Sequence, residues 1–204
     1  EELEMLAAKK VRHLYLGIES GLDDVLKFMK KDHDLGQAYQ AIDRLHEAGL
    51  IYDAHIMTGV AGKGRGMENA EALAQFLNRT NPAHVVNFSM FLHKEVPLYE
   101  DIRQGTFVPA DELETIREEY HLIERIAPEK AGANILYDGF HDFIHVRVRG
   151  HLPGDKEKML AKLSGIIQEY EGKEPVYSFV QGECPDLEYC DDGKAVWDMD
   201  RKTS

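Results

Sequence analysis

The chain has 204 residues, of which 43% are hydrophobic and 30% charged, a balance that suits one main globular domain with a sizeable core. Its net charge of −13, from 37 acidic against 24 basic residues, repels phosphate backbones and anionic lipid heads and argues against nucleic acid as a partner. No apolar run approaches the ~20 residues that a bilayer-spanning helix needs.

Cys184 and Cys190 are the only cysteines, too few for a disulfide scaffold, and no secretory leader precedes the first helical pattern, so a reducing cytoplasm is the expected compartment. The first residue is Glu1 rather than Met, which leads to the expectation of a processed or truncated chain.

Leu3, Leu6 and Ala7 stand at helical spacing, and Val11 to Ile18 then reads as a strand. Leu22 to Lys30 carries Leu22, Val25, Leu26 and Met29 on one stripe, with Asp23 and Asp24 in the first turn where the helix dipole favours acids. Asp34 is a candidate N-cap for a helix bearing Ala38, Ala41, Ile42 and Leu45, ended by Gly49. Ile51 to Thr58 reads as strand, followed by the glycine-rich run 59–66 and a helix over 67–79. Asn81-Pro82 breaks that helix, and His84 to Met90 supplies a third strand.

A short helix over 98–104 and a longer one over 109–126 follow, the second with Leu113, Ile116, Tyr120 and Ile123 inward and its acids on a solvated face. Residues 128–133 form a linker. The run 135–149 reads as β-rich, 155–170 as a last amphipathic helix, and 171–204 as an acidic stretch in which 176–180 adds a strand.

The repeated strand–loop–helix order implies parallel strands with right-handed crossovers. The expected fold class is α/β, a partial TIM-like barrel over 1–127 with a small C-terminal α+β extension over 128–204. Such folds place their ligands at the C-terminal ends of the strands. The stretch His13 to Gly21 organises this reading, because its apolar run stops at Gly17-Ile18-Glu19-Ser20-Gly21 and delivers a carboxylate and a hydroxyl to a strand end.

Five stretches carry a resemblance in their order and spacing: Leu14-Tyr15-Leu16-Gly17-Ile18-Glu19-Ser20-Gly21 with Val25-Leu26-Lys27, Ala48-Gly49, Ile56-Met57-Thr58-Gly59, Asn87-Phe88-Ser89-Met90 and Pro97-Leu98-Tyr99. Over 11–126 the chain resembles the C-terminal part of a radical S-adenosylmethionine (SAM) enzyme. It is similar to the Fe–S oxidoreductases related to oxygen-independent coproporphyrinogen oxidase and to the Elp3-like and MiaB-like proteins. The resemblance implies the last parallel βα units of a radical SAM barrel. It also implies a missing N-terminal half, with three βα units of roughly 30 residues each. The family's [4Fe–4S] cluster is held by a Cys-x3-Cys-x2-Cys loop, which this sequence lacks.

In full length the resemblance implies SAM and a [4Fe–4S] cluster as cofactors, cleavage to a 5′-deoxyadenosyl radical, and hydrogen abstraction from an unknown substrate. This chain alone is expected to bind neither cofactor and to be inactive, with no catalytic residue of its own. Position by position, Glu19 and Ser20 match residues that contact the amino-acid or ribose part of the cofactor, and Gly17 lets backbone pass close. Thr58, Gly59 and Val60 match the loop beside the adenine, and Asn87, Ser89 and Met90 the following strand end. The plainer alternatives are a helix cap at Glu19, a flexible loop at 59–66 and core packing at Met90.

Ten histidines raise a metal reading, yet on one strand His141 and His145 would lie about 13 Å apart, too far to share an ion. Cys184 and Cys190 do not complete a set of four ligands. No Gly-x-Ser-x-Gly elbow supports hydrolase chemistry. The second functional reading is a non-catalytic binding or assembly module, a half barrel that self-associates into a homodimer through its exposed sheet edge.

Overall fold

The computed structural model describes residues 2–179. Strands β1 (His13–Glu19), β2 (Ile51–Thr58), β3 (His84–Ser89) and β4 (Ile135–His141) run parallel in that order. Strand β5 (Val146–Leu152) returns antiparallel beside β4. The helices are α1 (Glu2–Ala8), α2 (Asp23–Phe28), α3 (Leu35–Glu47), α4 (Gly66–Thr80), α5 (Pro97–Arg103), α6 (Glu112–Arg125) and α7 (Lys156–Tyr170). None of the described helices is long and apolar enough to cross a membrane. Strands β4 and β5 continue the same sheet, and with α7 they contribute to the core begun upstream.

Local chemistry sets several boundaries. Asp34 and Gln37 form a reciprocal capping box at the start of α3, and Gly49 takes φ +71 just past its end. Asp111 accepts from the Glu114 N–H at 2.8 Å and so starts α6 at residue 112, later than its apolar spacing suggests.

Because side chains alternate along a strand, Leu16, Ile18, Tyr52, Ala54, Ile56, Val85, Ile135 and Tyr137 point together into a core shared with α3, α4, α6 and α7. Gly21 lies where the turn after β1 meets α4. A Cβ there would approach Leu73 N to 2.4 Å and the Ala72 carbonyl carbon to 2.5 Å. Both are backbone atoms and cannot yield, so Gly21→Ala is expected to cost about 1–3 kcal/mol or more, read as a lower urea midpoint at unchanged slope.

Three expectations need correction. The run 135–149 is a hairpin in which Asp142–Ile144 form a 3-10 turn, with His145 left-handed at φ +54, so Phe143 and Ile144 are not strand residues. Of the segment 176–180, Tyr177 and Phe179 are isolated bridge residues rather than a strand, Phe179 pairing with Leu92, while Val180 and both cysteines lie outside the described residues. The acids of α6 do not all face solvent: Glu112, Glu118 and Glu119 are 2%, 1% and 0% exposed. Apolar spacing misses them because their partners are polar groups on the strands, far away in sequence.

Candidate functional site

The C-terminal ends of β1, β2 and β3 bring most of the expected residues to one edge of the sheet, but on its two opposite faces. On the helix side, Ser20 is fully buried, and its hydroxyl donates to Asn69 Oδ1 at 2.7 Å while accepting from the Leu22 N–H. Asn69 Nδ2 donates to Glu118 Oε1 at 2.7 Å, and Glu118 Oε2 accepts from the Gly59 N–H at 2.8 Å. The side chain of Asn87 accepts from the Thr58 N–H and donates to Glu119 Oε1. Ser89 donates to Glu112. The side chains of Ser20, Asn87 and Ser89 therefore tie strand ends to α4 and α6, and Thr58 joins through its backbone N–H to Asn87. Thr58 Oγ1 is buried with no hydrogen-bond partner among the described residues.

At the centre of this layer, His141 sits between two acids, its Nδ1 at 2.9 Å from Glu112 Oε2 and its Nε2 at 3.0 Å from Glu119 Oε2. Tyr137 donates to Glu119 at 2.9 Å, and Ser178 hydrogen-bonds Glu112. Gly139 makes room for this arrangement, since a Cβ there would come within 1.8 Å of Glu119 Oε1.

Burial disfavours the charged imidazole of His141, but the hydrogen bonds and charges of Glu112 and Glu119 outweigh it and hold the group up at about 10. Burial pushes Glu118 up to about 8 against the stabilising N–H groups of Asn69 and Gly59.

On the opposite face, Gly17 and Glu19 behave differently. Glu19 ends β1 at φ +61 beside an irregularity in the β1–β2 register, and its carboxylate folds back over Gly17, where a Cβ would meet Oε1 at 2.8 Å. Lys31 Nζ pairs with it at 2.8 Å, and the Glu19 side chain keeps 20% of its surface accessible. A carboxylate so placed can receive an ammonium or a ribose hydroxyl.

Gly59 at φ +82 turns the chain after β2, Val60 packs with Val25, and Met90 lies partly buried between that cluster and the one around Leu92 and Phe107. No group of three or more His, Asp or Glu residues suited to a metal ion occurs among the described residues, and the hairpin turn separates His141 from His145. With two cysteines in the whole sequence, the chain has no three-thiolate set for a [4Fe–4S] cluster.

The rest of the open face was not legible as a site in the sequence. Asp53 of β2 is fully buried there with His13 Nδ1 at 2.8 Å, and Tyr15 OH meets His84 Nδ1 at 2.9 Å. Further along, Phe88 and Phe140 stack at 5.4 Å, and Arg147 covers Phe140 while pairing with Asp138 at 2.6 Å. The one available sequence signal was the polar pair Asp53 and His55, two positions apart in β2.

Comparison with known proteins gives three findings. Residues 1–77 match the model of the Radical SAM superfamily. A tRNA uridine(34) acetyltransferase of Methanocaldococcus infernus is 26% identical over 117 residues, which are 57% of this chain and 22% of that protein. The structure of the archaeal M. infernus Elp3 with an N-terminal deletion (1-46) superposes with TM-score 0.60 at 19% identity, over 82% of this chain and 38% of that one. The structural match shows a shared fold, and this chain spans well under half of either relative.

Proposed function

We propose that the chain, whose residues 1–77 match the model of the Radical SAM superfamily, is the C-terminal half of an Fe–S oxidoreductase barrel. The whole enzyme cleaves SAM to a 5′-deoxyadenosyl radical and abstracts hydrogen from its substrate. The observation that carries this reading is the end of β1: a carboxylate at φ +61 bent over Gly17 and left accessible on the uncovered face of a parallel sheet. Parallel sheets are ordinarily covered on both faces, and an N-terminal half barrel would provide that second cover.

In this reading the cluster supplies the reducing chemistry from the other half, and the residues present here orient the cofactor. Glu19 receives the ammonium or ribose hydroxyls of SAM, the Gly59 turn and Val60 border its adenine, and the backbone of 87–90 lies beside them. Ser20, Asn87 and Ser89 act through position, since their side chains hold the strand ends against α4 and α6, and Thr58 is held through its backbone N–H by Asn87. The chain by itself, without three cluster thiolates, is inactive.

The test uses the full-length protein, reconstituted anaerobically with iron and sulfide and given SAM and dithionite. The expected result is 5′-deoxyadenosine, detected by chromatography, from the full-length protein and none from residues 1–204. Absence of the product despite a spectroscopically verified cluster overturns the reading.

A further inference from the structure

The open face holds two buried polar atoms that its own chain leaves unsatisfied. Asp53 Oδ1 and His84 Nε2 have no hydrogen-bond partner among the described residues, although Asp53 is 0% exposed. Buried acceptors and donors are nearly always paired, so two orphans on one patch point to a missing occupant. The two residues are neighbours across the β2–β3 ladder, one step before the Ala54–Val85 pair, and Tyr15 stands opposite Asp53 on β1.

The hydrogen-bonding sense of each atom follows from its surroundings. The second oxygen of Asp53 is occupied by His13, leaving Oδ1 as a pure acceptor. Burial, then the nearby Asp53, raises the Tyr15 phenol, which stays protonated and donates to His84 Nδ1. Burial lowers His84 against the charges of Asp53 and Asp138, which keeps the ring neutral and leaves its one proton on Nε2. The patch thus presents an acceptor beside a donor. To admit a ligand, His13, bonded to Asp53 and 50% exposed, has to turn aside, while Tyr15 keeps its bond to His84.

We propose that Asp53 Oδ1 and His84 Nε2 read the cis-amide edge of a planar substrate, a lactam or imide whose N–H meets the carboxylate and whose C=O meets the imidazole. An adjacent donor–acceptor pair is complementary to that edge, and the stacked Phe88 and Phe140 extend the same face with apolar ring surface. Tyr15 is a positioning residue that fixes the His84 tautomer. Calling the ligand a substrate rests on the enzyme reading above, whereas its binding to this chain does not.

The test is a titration of the 204-residue chain with 2-pyridone, followed through the ring C–H resonances of His13 and His84, with N-methyl-2-pyridone as control. The expected result is a saturable millimolar shift with 2-pyridone and none with the N-methyl compound, which lacks the donor. Asp53→Asn and His84→Phe each weaken binding at least tenfold with unchanged circular dichroism, and Tyr15→Phe weakens it less. Equal response to both compounds, no saturable shift, or undiminished binding in folded Asp53→Asn overturns the proposal. Binding of 2-pyridone without SAM cleavage by the full-length protein would overturn only the enzyme reading, and the converse only this one.

Discussion

His141→Ala is expected to lower the unfolding free energy by about 3–5 kcal/mol, the cost typical of breaking a buried ion pair by removing one partner. The loss is large because His141 is shared: Glu112 and Glu119, at 1% and 0% side-chain exposure, both bond to it, and neither has a Lys or Arg in reach among the described ion pairs. Taking the imidazole away leaves two acids buried together on α6 with only hydroxyl and amide donors from Ser89, Thr115, Ser178, Tyr137 and Asn87 among the described residues. Glu119→Gln keeps the shape and an acceptor for Tyr137, and is expected to cost less than half as much. The check is urea unfolding of both variants beside the parent. Equal and small losses, under about 1 kcal/mol, would show that the cluster contributes no more than a surface pair.

The same cluster makes stability fall as pH rises. A group whose native value lies above its unfolded one stabilises the fold fully below the unfolded value and loses that contribution as pH climbs to the native value. For Glu118 the window runs from its ordinary 4.5 to about 8. For His141 it runs from 6.5 to about 10. The two overlap between pH 6.5 and 8 with the same sign, so the unfolding free energy is expected to drop by roughly 3–4 kcal/mol from pH 6 to pH 8. His84, held below its ordinary value mainly by burial, opposes this weakly near pH 6. Glu118→Gln should remove the lower half of the decline and His141→Gln the upper half. A profile that is flat or rises over this range contradicts the assigned protonation states.

The fold was largely legible in the sequence because its devices are local. The Asp34 cap with Gln37, the glycine after α3, the break at Asn81-Pro82 and the apolar strand runs each act within a few residues. The hairpin at 142–145 was missed because Phe143 to Val148 alternates like a strand while His145 turns left-handed within it. The expected site residues do gather at one strand-end edge, with Gly17 and Glu19 on one face and Ser20 on the other as period-two alternation gives, whereas the left-handed backbone that folds the Glu19 carboxylate back over Gly17 had no local signal. The buried acids of α6 were illegible for another reason. A glutamate on a helix looks solvated until its partners appear, and those of Glu118 and Glu119 come from residues 18 to 59 positions away, on strands, on α4 and at the Gly59 turn.

This separation of faces sharpens the assignment at the end of β1. Glu19 and Ser20 are adjacent, but the accessible carboxylate faces the open side and the hydroxyl is spent on Asn69 and Leu22. The most direct measurement is SAM affinity of the reconstituted full-length protein, by isothermal calorimetry, for the parent, Glu19→Gln and Ser20→Ala. The account predicts at least tenfold weaker binding for Glu19→Gln at unchanged stability, and for Ser20→Ala a lower urea midpoint with the affinity of the parent. Undiminished SAM binding in Glu19→Gln would contradict it.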